Sequence, residues 1–200
     1  MRARRKSITV LQIFLAALAF VGFAAPAAAQ RGAITRPRNL AQLVEQAAVI
    51  VRGHVVSAKV EPHPDLAHLM TVVVTLRVQE TLKGPTQPTV TFRQYIWDLR
   101  DLYDAAGYSK GLEVLLLLNP PTRYGLSSPA GLEQGRFRIL RDPQGQPFAA
   151  NGQGNSGLFR DLEAHLTRKG IRLPARLSAL VREHRAGPIA WDDMKELIQQ

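Results

Sequence analysis

The feature that most constrains the fold is an alternating run of fourteen residues, Leu69 to Leu82. From Met70 to Val78 every second side chain is apolar, namely Met70, Val72, Val74, Leu76 and Val78. A period of two places alternate side chains on opposite faces of a β-strand, so the run predicts one face on a core and one mostly in water. Strands usually have about five or six residues. A strand of this length therefore favours a small closed barrel, around which it can coil.

Further runs with strand character are separated by Gly and Pro. They are Ala48–Val60, Pro88–Tyr95 and the nearly continuous apolar run Leu112–Leu118, followed by Tyr124–Ser127 and Gly135–Arg141 as a closing hairpin. From Trp97 to Ala106 the spacing becomes helical, with Asp98, Asp101 and Asp104 on the water-facing side. This order predicts a mainly β protein, a five-stranded closed barrel of the oligonucleotide/oligosaccharide-binding (OB) type, with a short helix between strands 3 and 4.

Helices are predicted at both ends of this barrel. Asn39 and Gln42 have the spacing of a capping box, which starts a helix that ends near Gln46. The C-terminal segment has a flexible polar loop, Asn151–Gly157, and then three amphipathic stretches, Leu158–Lys169, Pro174–Glu183 and Trp191–Gln199. We predict a signal peptide at 1–29, a tether at 30–38, the OB-like barrel at 39–150 and a helical C-terminal appendage at 151–200.

The first thirty residues predict export. Four basic residues lie before Ser7, an apolar stretch runs from Ile8 to Ala25, and Ala27-Ala28-Ala29 provides a cleavage site. We expect a periplasmic or secreted protein, with an uncleaved N-terminal membrane anchor as the alternative. Cleavage after Ala29 removes 4 of the 26 basic residues and none of the 16 acidic ones, which lowers the net charge from +10 to +6.

Several chemistries have little support in the residues. There is no cysteine, which excludes disulfides, a thiol nucleophile and thiolate metal ligands. His63, Asp65 and His68 could approach a metal, but Pro62 and Pro64 make their segment an extended surface turn, which favours a solvated polar loop. We therefore expect no essential metal and no cofactor.

Two enzyme signatures also fail in context. Gly152-x-Gly154-x-x-Gly157 matches the dinucleotide fingerprint, but no parallel strands flank it and Arg176, Leu177 and Ser178 stand where the acidic residue belongs. The serines have no nucleophile-elbow context and the five histidines form no motif. We expect a non-catalytic protein. A hydrolase without a recognisable motif comes third, after the two classes of binding protein described below.

One cluster favours binding. Tyr95 and Trp97, together with Phe92, lie beside Arg93 and Arg100, which resembles a stacking surface with basic flanks. Export argues against nucleic acid, so the surface would hold a protein segment or sugar rings. The alternative is that Phe92 and Trp97 belong to the core.

The strand patterns also carry a resemblance. Ala47–Val55 and Thr71–Gly84 resemble a pattern found in small exported bacterial proteins of unknown function, and are similar to the barrel of tissue inhibitors of metalloproteases and netrin-type modules. The resemblance covers about residues 45–141 and implies a fold rather than an activity. Those inhibitors chelate the protease zinc through an N-terminal cysteine, which this chain lacks.

Two classes of function follow. The first is an exported, non-catalytic module that binds a protein partner in the cell envelope or outside the cell, such as a protease it regulates. The second is a binder of an anionic or glycan envelope ligand, attracted by the +6 charge. Salt separates them, because a charge-driven ligand dissociates at moderate ionic strength whereas an apolar interface does not.

Export has a direct test. Mass spectrometry of the protein from its native cells should find an N-terminus near Gln30, because the peptidase cuts after small residues such as Ala27 and Ala29. A soluble form that retains Met1 would contradict the prediction.

Overall fold

Alternating apolar residues form seven β-strands and amphipathic segments form five α-helices in the computed structural model, which describes residues 35–200. The strands are β1 (Val49–Pro62), β2 (Met70–Lys83), β3 (Thr89–Tyr95), β4 (Glu113–Leu118), β5 (Arg136–Arg141), β6 (Pro147–Asn151) and β7 (Ile189–Ala190). The helices are α1 (Leu40–Gln46), α2 (Asp101–Asp104), α3 (Leu162–Arg168), α4 (Ala175–Glu183) and α5 (Trp191–Ile198). Short 3-10 turns lie at Ala105–Gly107 and Leu132–Gln134. The predicted signal peptide and the first tether residues lie outside the described range.

The strands form one open antiparallel sheet, in the order β3-β2-β1-β4-β5-β6-β7. The mainly β fold is thus as predicted, whereas the predicted barrel of five strands and its closure are not seen. The segment expected to start the closing hairpin, Tyr124–Ser127, contributes a single parallel bridge between Leu126 and Arg93 of β3. Prolines at 120, 121 and 129 flank this segment and have no amide hydrogen for a ladder. The sheet instead continues from β5 to β6, a strand that the sequence analysis did not predict.

The long strands β1 and β2 coil because their pairing contains irregularities. The register shifts at three places, between Ile50 and Val51, between Arg52 and Gly53, and between Val55 and Ser57. A Cβ atom on Gly53 would lie 2.3 Å from the carbonyl oxygen of Arg77. Only glycine therefore permits this close approach of the two backbones.

The sheet separates two hydrophobic cores. Helices α1, α3, α4 and α5 cover one face and enclose the helix-side core, to which the sheet contributes Ile50, Leu115, Leu117 and Phe137. The strand-side core lies on the other face and contains Val51, Val55, Val72, Val74, Leu76, Phe92, Ala106, Tyr108, Val114, Leu116 and Leu118. All six residues of β4 are buried, which confirms the prediction from its continuous apolar run.

The C-terminal segment packs into the same body as the sheet. Residues of α3, α4 and α5 share the helix-side core with α1, and the predicted boundary at residue 150 falls inside β6. The loop 151–157 is fixed by hydrogen bonds to the buried side chain of Asn155, contrary to the prediction of a flexible polar loop.

The capping box of α1 is confirmed, because the Asn39 and Gln42 side chains each accept from the other residue's amide at 3.0 Å. Within residues 35–200, every helix is too short or too polar to cross a bilayer.

The alternation of β2 can be tested with one pair of variants. Val74 is fully buried in the strand-side core, whereas the Thr75 hydroxyl lies 3.1 Å from that of Thr91 at the surface. Val74→Asp should lower the free energy of unfolding by about 3 kcal/mol or more, because it buries an unpaired carboxylate. Thr75→Asp should cost about 1 kcal/mol or less. Urea unfolding measures both, and equal losses would contradict the assignment of faces.

Candidate functional site

Large apolar side chains are exposed at the end of β3 and in the segment that follows it. Tyr95, Trp97, Leu99 and Tyr103 are half of the exposed large hydrophobic residues found within residues 35–200, and we call them the aromatic strip. Leu99 is 77% exposed and Tyr103 is 89% exposed. The rings of Tyr95 and Trp97 meet edge to face, with centroids 5.0 Å apart. Such a concentration of exposed apolar groups is typical of a binding surface.

A buried carboxylate fixes the backbone of the strip. Asp101 is only 3% exposed, and its Oδ2 accepts hydrogen bonds from the amides of Trp97 at 3.1 Å and Asp98 at 3.2 Å. The prediction that Asp101 lies on a wet helix face is therefore wrong. An aspartate can compete with the helix for backbone amides, and here it turns the chain from β3 into α2.

The turn that follows α2 holds two alanines in the left-handed region. The φ angles are 49° at Ala105 and 57° at Ala106, a conformation that costs free energy for a residue with a Cβ atom. Nη1 of Arg136, on β5, donates to the Ala106 carbonyl. Nη2 of Arg136 donates to Glu133 at 2.5 Å. The guanidinium therefore links this strained turn to β5 and to the 3-10 turn that precedes β5.

A small polar cavity lies beneath Trp97. Its volume is about 20 Å³, and its lining includes Gln94, Trp97, Asp101, Tyr108, Glu133 and Arg136. This space suits about one water molecule. It has no room for an organic substrate.

Tyr108 and Arg136 pack together at this cavity. The guanidinium carbon of Arg136 lies 4.8 Å from the centre of the Tyr108 ring, and the phenol donates to Gln94 Oε1 at 3.3 Å. Burial raises the pKa of Tyr108 to about 12. The phenol thus remains a neutral hydrogen-bond donor throughout the physiological range.

The structure brings the two predicted aromatic binding residues together, whereas the two predicted arginines form ion pairs. Tyr95 and Trp97 lie side by side in the strip, whereas Phe92 is in the strand-side core. Arg93 binds Glu61 Oε1 and Thr71 Oγ1, both at 2.7 Å, so it joins β1, β2 and β3. Arg100 pairs with Asp98 at 2.5 Å. Both cations that were predicted as basic flanks are therefore already bound to carboxylates.

Leu99 and Tyr103 were not predicted as binding residues. Their spacing from Trp97 suggested one helical stripe, but α2 is only four residues long and the stripe is not continuous. The available signal was the three aspartates between residues 98 and 104, because this residue type accepts from nearby amides and interrupts helices.

The three candidate metal ligands do not form a ligand set. His63 is 2% exposed, contrary to the prediction of a solvated loop. Its Nδ1 accepts from the Asp65 amide at 3.1 Å, which places the proton on Nε2, and Nε2 lies 2.8 Å from the Tyr124 carbonyl oxygen. Both ring nitrogens are thus used, while Asp65 and His68 are exposed. No group of three potential metal ligands occurs anywhere in residues 35–200.

A second buried ionic cluster lies on the helix side of the sheet. Glu113 accepts from Arg52 at 2.5 and 2.8 Å and from Arg141 at 2.8 Å. Burial opposes ionisation of Glu113, but these hydrogen bonds outweigh it and hold the pKa of the carboxyl below its usual range. Arg52 also stacks on Trp191, 4.4 Å from the ring centre, so the cluster attaches α5 to the sheet.

The buried phenol of Tyr108 predicts a loss of stability at alkaline pH. The unfolded chain releases this proton near pH 10, but the folded protein retains it to about pH 12, so rising pH favours the unfolded state across this interval. The loss that depends on Tyr108 should approach about 3 kcal/mol. Urea unfolding of the wild type and of Tyr108→Phe across this interval isolates it, because all other titrations are shared. Parallel pH curves for the two proteins would contradict the prediction.

Comparisons with protein-family models, with curated proteins and with solved structures found no match to this chain. The assignment of a function therefore depends on the chemistry of the aromatic strip and of its surroundings.

Proposed function

We propose that the protein is an exported, non-catalytic module that binds a protein partner in the cell envelope or outside the cell through the aromatic strip. The observation that carries this proposal is the exposure of Tyr95, Trp97, Leu99 and Tyr103 on a backbone fixed by Asp101 and Arg136. Aromatic residues are enriched at protein interfaces, where they supply most of the binding energy. A rigid backbone lowers the entropic cost of binding through them.

The local charge favours a protein over an anionic ligand at the strip. Residues 98–104 contain three aspartates and one arginine. This negative balance would repel a phosphate or a nucleic acid backbone, but it suits the polar rim of a protein interface. A basic or neutral partner surface with an apolar centre would complement the strip.

We also propose a relationship to the inhibitor and netrin-type modules, on the basis of the strand order. The first five strands have the order β3-β2-β1-β4-β5, and α2 lies between β3 and β4 in the chain. We propose that this arrangement is an opened relative of the OB-like barrel, extended by β6 and β7. A protease is then one candidate class of partner, bound by a route that does not use an N-terminal cysteine.

The proposal is tested by removing the strip without disturbing the fold. The triple variant Trp97→Ser, Leu99→Ser, Tyr103→Ser should lose a partner that the wild type captures from a native envelope extract. Leu99 and Tyr103 are 77% and 89% exposed and Trp97 is 44% exposed, so the free energy of unfolding should fall by no more than about 2 kcal/mol, most of it from Trp97. The captured partner should remain bound at moderate salt, as expected for an apolar interface.

The matched control is Val56→Ser with Leu140→Ser. These two residues are 45% and 44% exposed and lie outside the strip, so they also remove exposed apolar surface. The control should retain the partner. Equal capture by the strip variant and the wild type would contradict the proposal, as would release of the partner at moderate salt, which would indicate a charge-driven ligand instead.

A further inference from the structure

A groove of about 750 Å³ lies on the helix side of the molecule, away from the aromatic strip. We call it the C-terminal groove. It runs between the segment 156–164 and the end of α4, and its lining includes Arg160, Arg182, His184 and Arg185. The buried side chains of Phe159, Leu162 and Val181 lie at its base. This volume falls within the range of small-molecule sites in proteins.

The walls of the groove are held by one buried side chain. Asn155 Nδ2 donates to the carbonyls of Ala149 and Gly187, both at 2.8 Å, and its Oδ1 accepts from the Asn151 amide at 2.9 Å. The Gly187 amide donates in turn to the Gly154 carbonyl at 2.7 Å. The segment before the groove and the segment after α4 are thus fastened to each other, which preorganises the site.

Three guanidinium groups in the groove have no carboxylate partner within residues 35–200. Arg160, Arg182 and Arg185 are all exposed, and none of them forms an ion pair with another described side chain. By contrast, Arg176, on the same helix as Arg182, pairs with Asp193 and Glu196. Unpaired guanidinium groups are available to bind an anion, because the planar group can donate two parallel hydrogen bonds to the oxygens of a phosphate or a carboxylate.

The two carboxylates that also line the groove have a structural explanation. Asp161 precedes the first residue of α3 and Glu163 lies in its first turn, where the helix dipole favours negative charge. The wider segment 158–185 contains seven basic and three acidic residues, a net charge of +4. Of these basic residues, Arg160, Arg182 and Arg185 line the groove, where they exceed the two carboxylates by one charge.

His184 adds a ring with an unsatisfied polar atom to the lining of the groove. Its Nε2 is shielded from solvent and has no hydrogen-bond partner among the described residues. The ring is held against Phe159, with centroids 5.5 Å apart. A buried polar atom without a partner carries a desolvation cost, which a ligand oxygen in the groove would relieve once the ring turns to present Nε2 to it.

We infer that the C-terminal groove binds a phosphate-bearing ligand through Arg160, Arg182, His184 and Arg185. Phosphate is favoured over a single carboxylate because its additional oxygens can accept from three guanidinium groups at once. The apolar base accommodates a hydrocarbon or ring portion of the same ligand. This site is distinct from the aromatic strip, so it goes beyond the proposed binding of a protein partner.

Calorimetric titration of the purified full chain with inorganic pyrophosphate tests the inference. Binding should be saturable, and the double variant Arg182→Gln, Arg185→Gln should weaken it by at least about tenfold, since each charge-assisted pair contributes strongly. The matched control is Arg77→Gln with Arg138→Gln, which removes the same charge from two exposed arginines outside the groove. The control should bind as the wild type does, and so should the triple serine variant of the strip, which separates this inference from the proposed function.

Vesicles distinguish the two sources of the phosphate group. Co-sedimentation with phosphatidylglycerol vesicles but not with phosphatidylcholine vesicles, lost in the groove variant alone, would support a lipid headgroup as the source. Saturable pyrophosphate binding without vesicle binding would support a soluble phosphorylated ligand. Two results would overturn the inference: the absence of saturable binding of either probe, or equal weakening by the groove and control variants, since the latter is the behaviour of unspecific charge attraction.

Discussion

The pairing of β1 with β4 is the constraint on which the rest of the structure depends. Val49 lies opposite Leu118 and the register continues unbroken to the pair His54 and Glu113. Because side chains alternate, Leu115 enters the helix-side core while Leu116 enters the strand-side core. A slip by one residue would exchange these faces and disrupt both cores at once. The two cores are thus specified by a single ladder of six residue pairs.

The same ladder places the polar clusters that support each surface. Glu113 at one end of β4 faces the helix side, where it meets Arg52 and Arg141 and so attaches α5. Arg136 on β5 lies opposite Leu116, and its side chain therefore reaches the strand-side core, where it contacts Tyr108. From there it binds the left-handed turn at Ala106 and supports the strip. Glu113 and Arg136, which are both buried, each have a hydrogen-bonded partner of opposite charge, which avoids the cost of an isolated buried charge.

Local periodicity was enough to predict the long strands and several helices. The predicted bounds of β1, β2, β3 and β4 fall within two residues of those observed, because two-residue alternation and flanking Gly or Pro depend only on neighbouring residues. The capping box at Asn39 is equally local. What failed depends on distant partners: Asp101 was assigned to a wet face, although it is buried at the cavity that it shares with Tyr108 and Arg136. The closure of the barrel failed for the same reason, since only the tertiary structure shows that β5 pairs with β6.

The exposed aromatic residues illustrate why a site is harder to predict than a fold. An apolar side chain such as Leu99 has the same local signature whether it faces a core or a partner, and only the tertiary structure shows that it is exposed, in the turn before α2. The aromatic strip and the C-terminal groove have no lining residue in common, and they are supported by different anchors, Arg136 and Asn155. Sites supported in this way are energetically independent to a first approximation. The protein can therefore present two surfaces of opposite character, an apolar strip with acidic neighbours and a recessed basic groove. The residues of one surface do not restrict the choice of residues in the other.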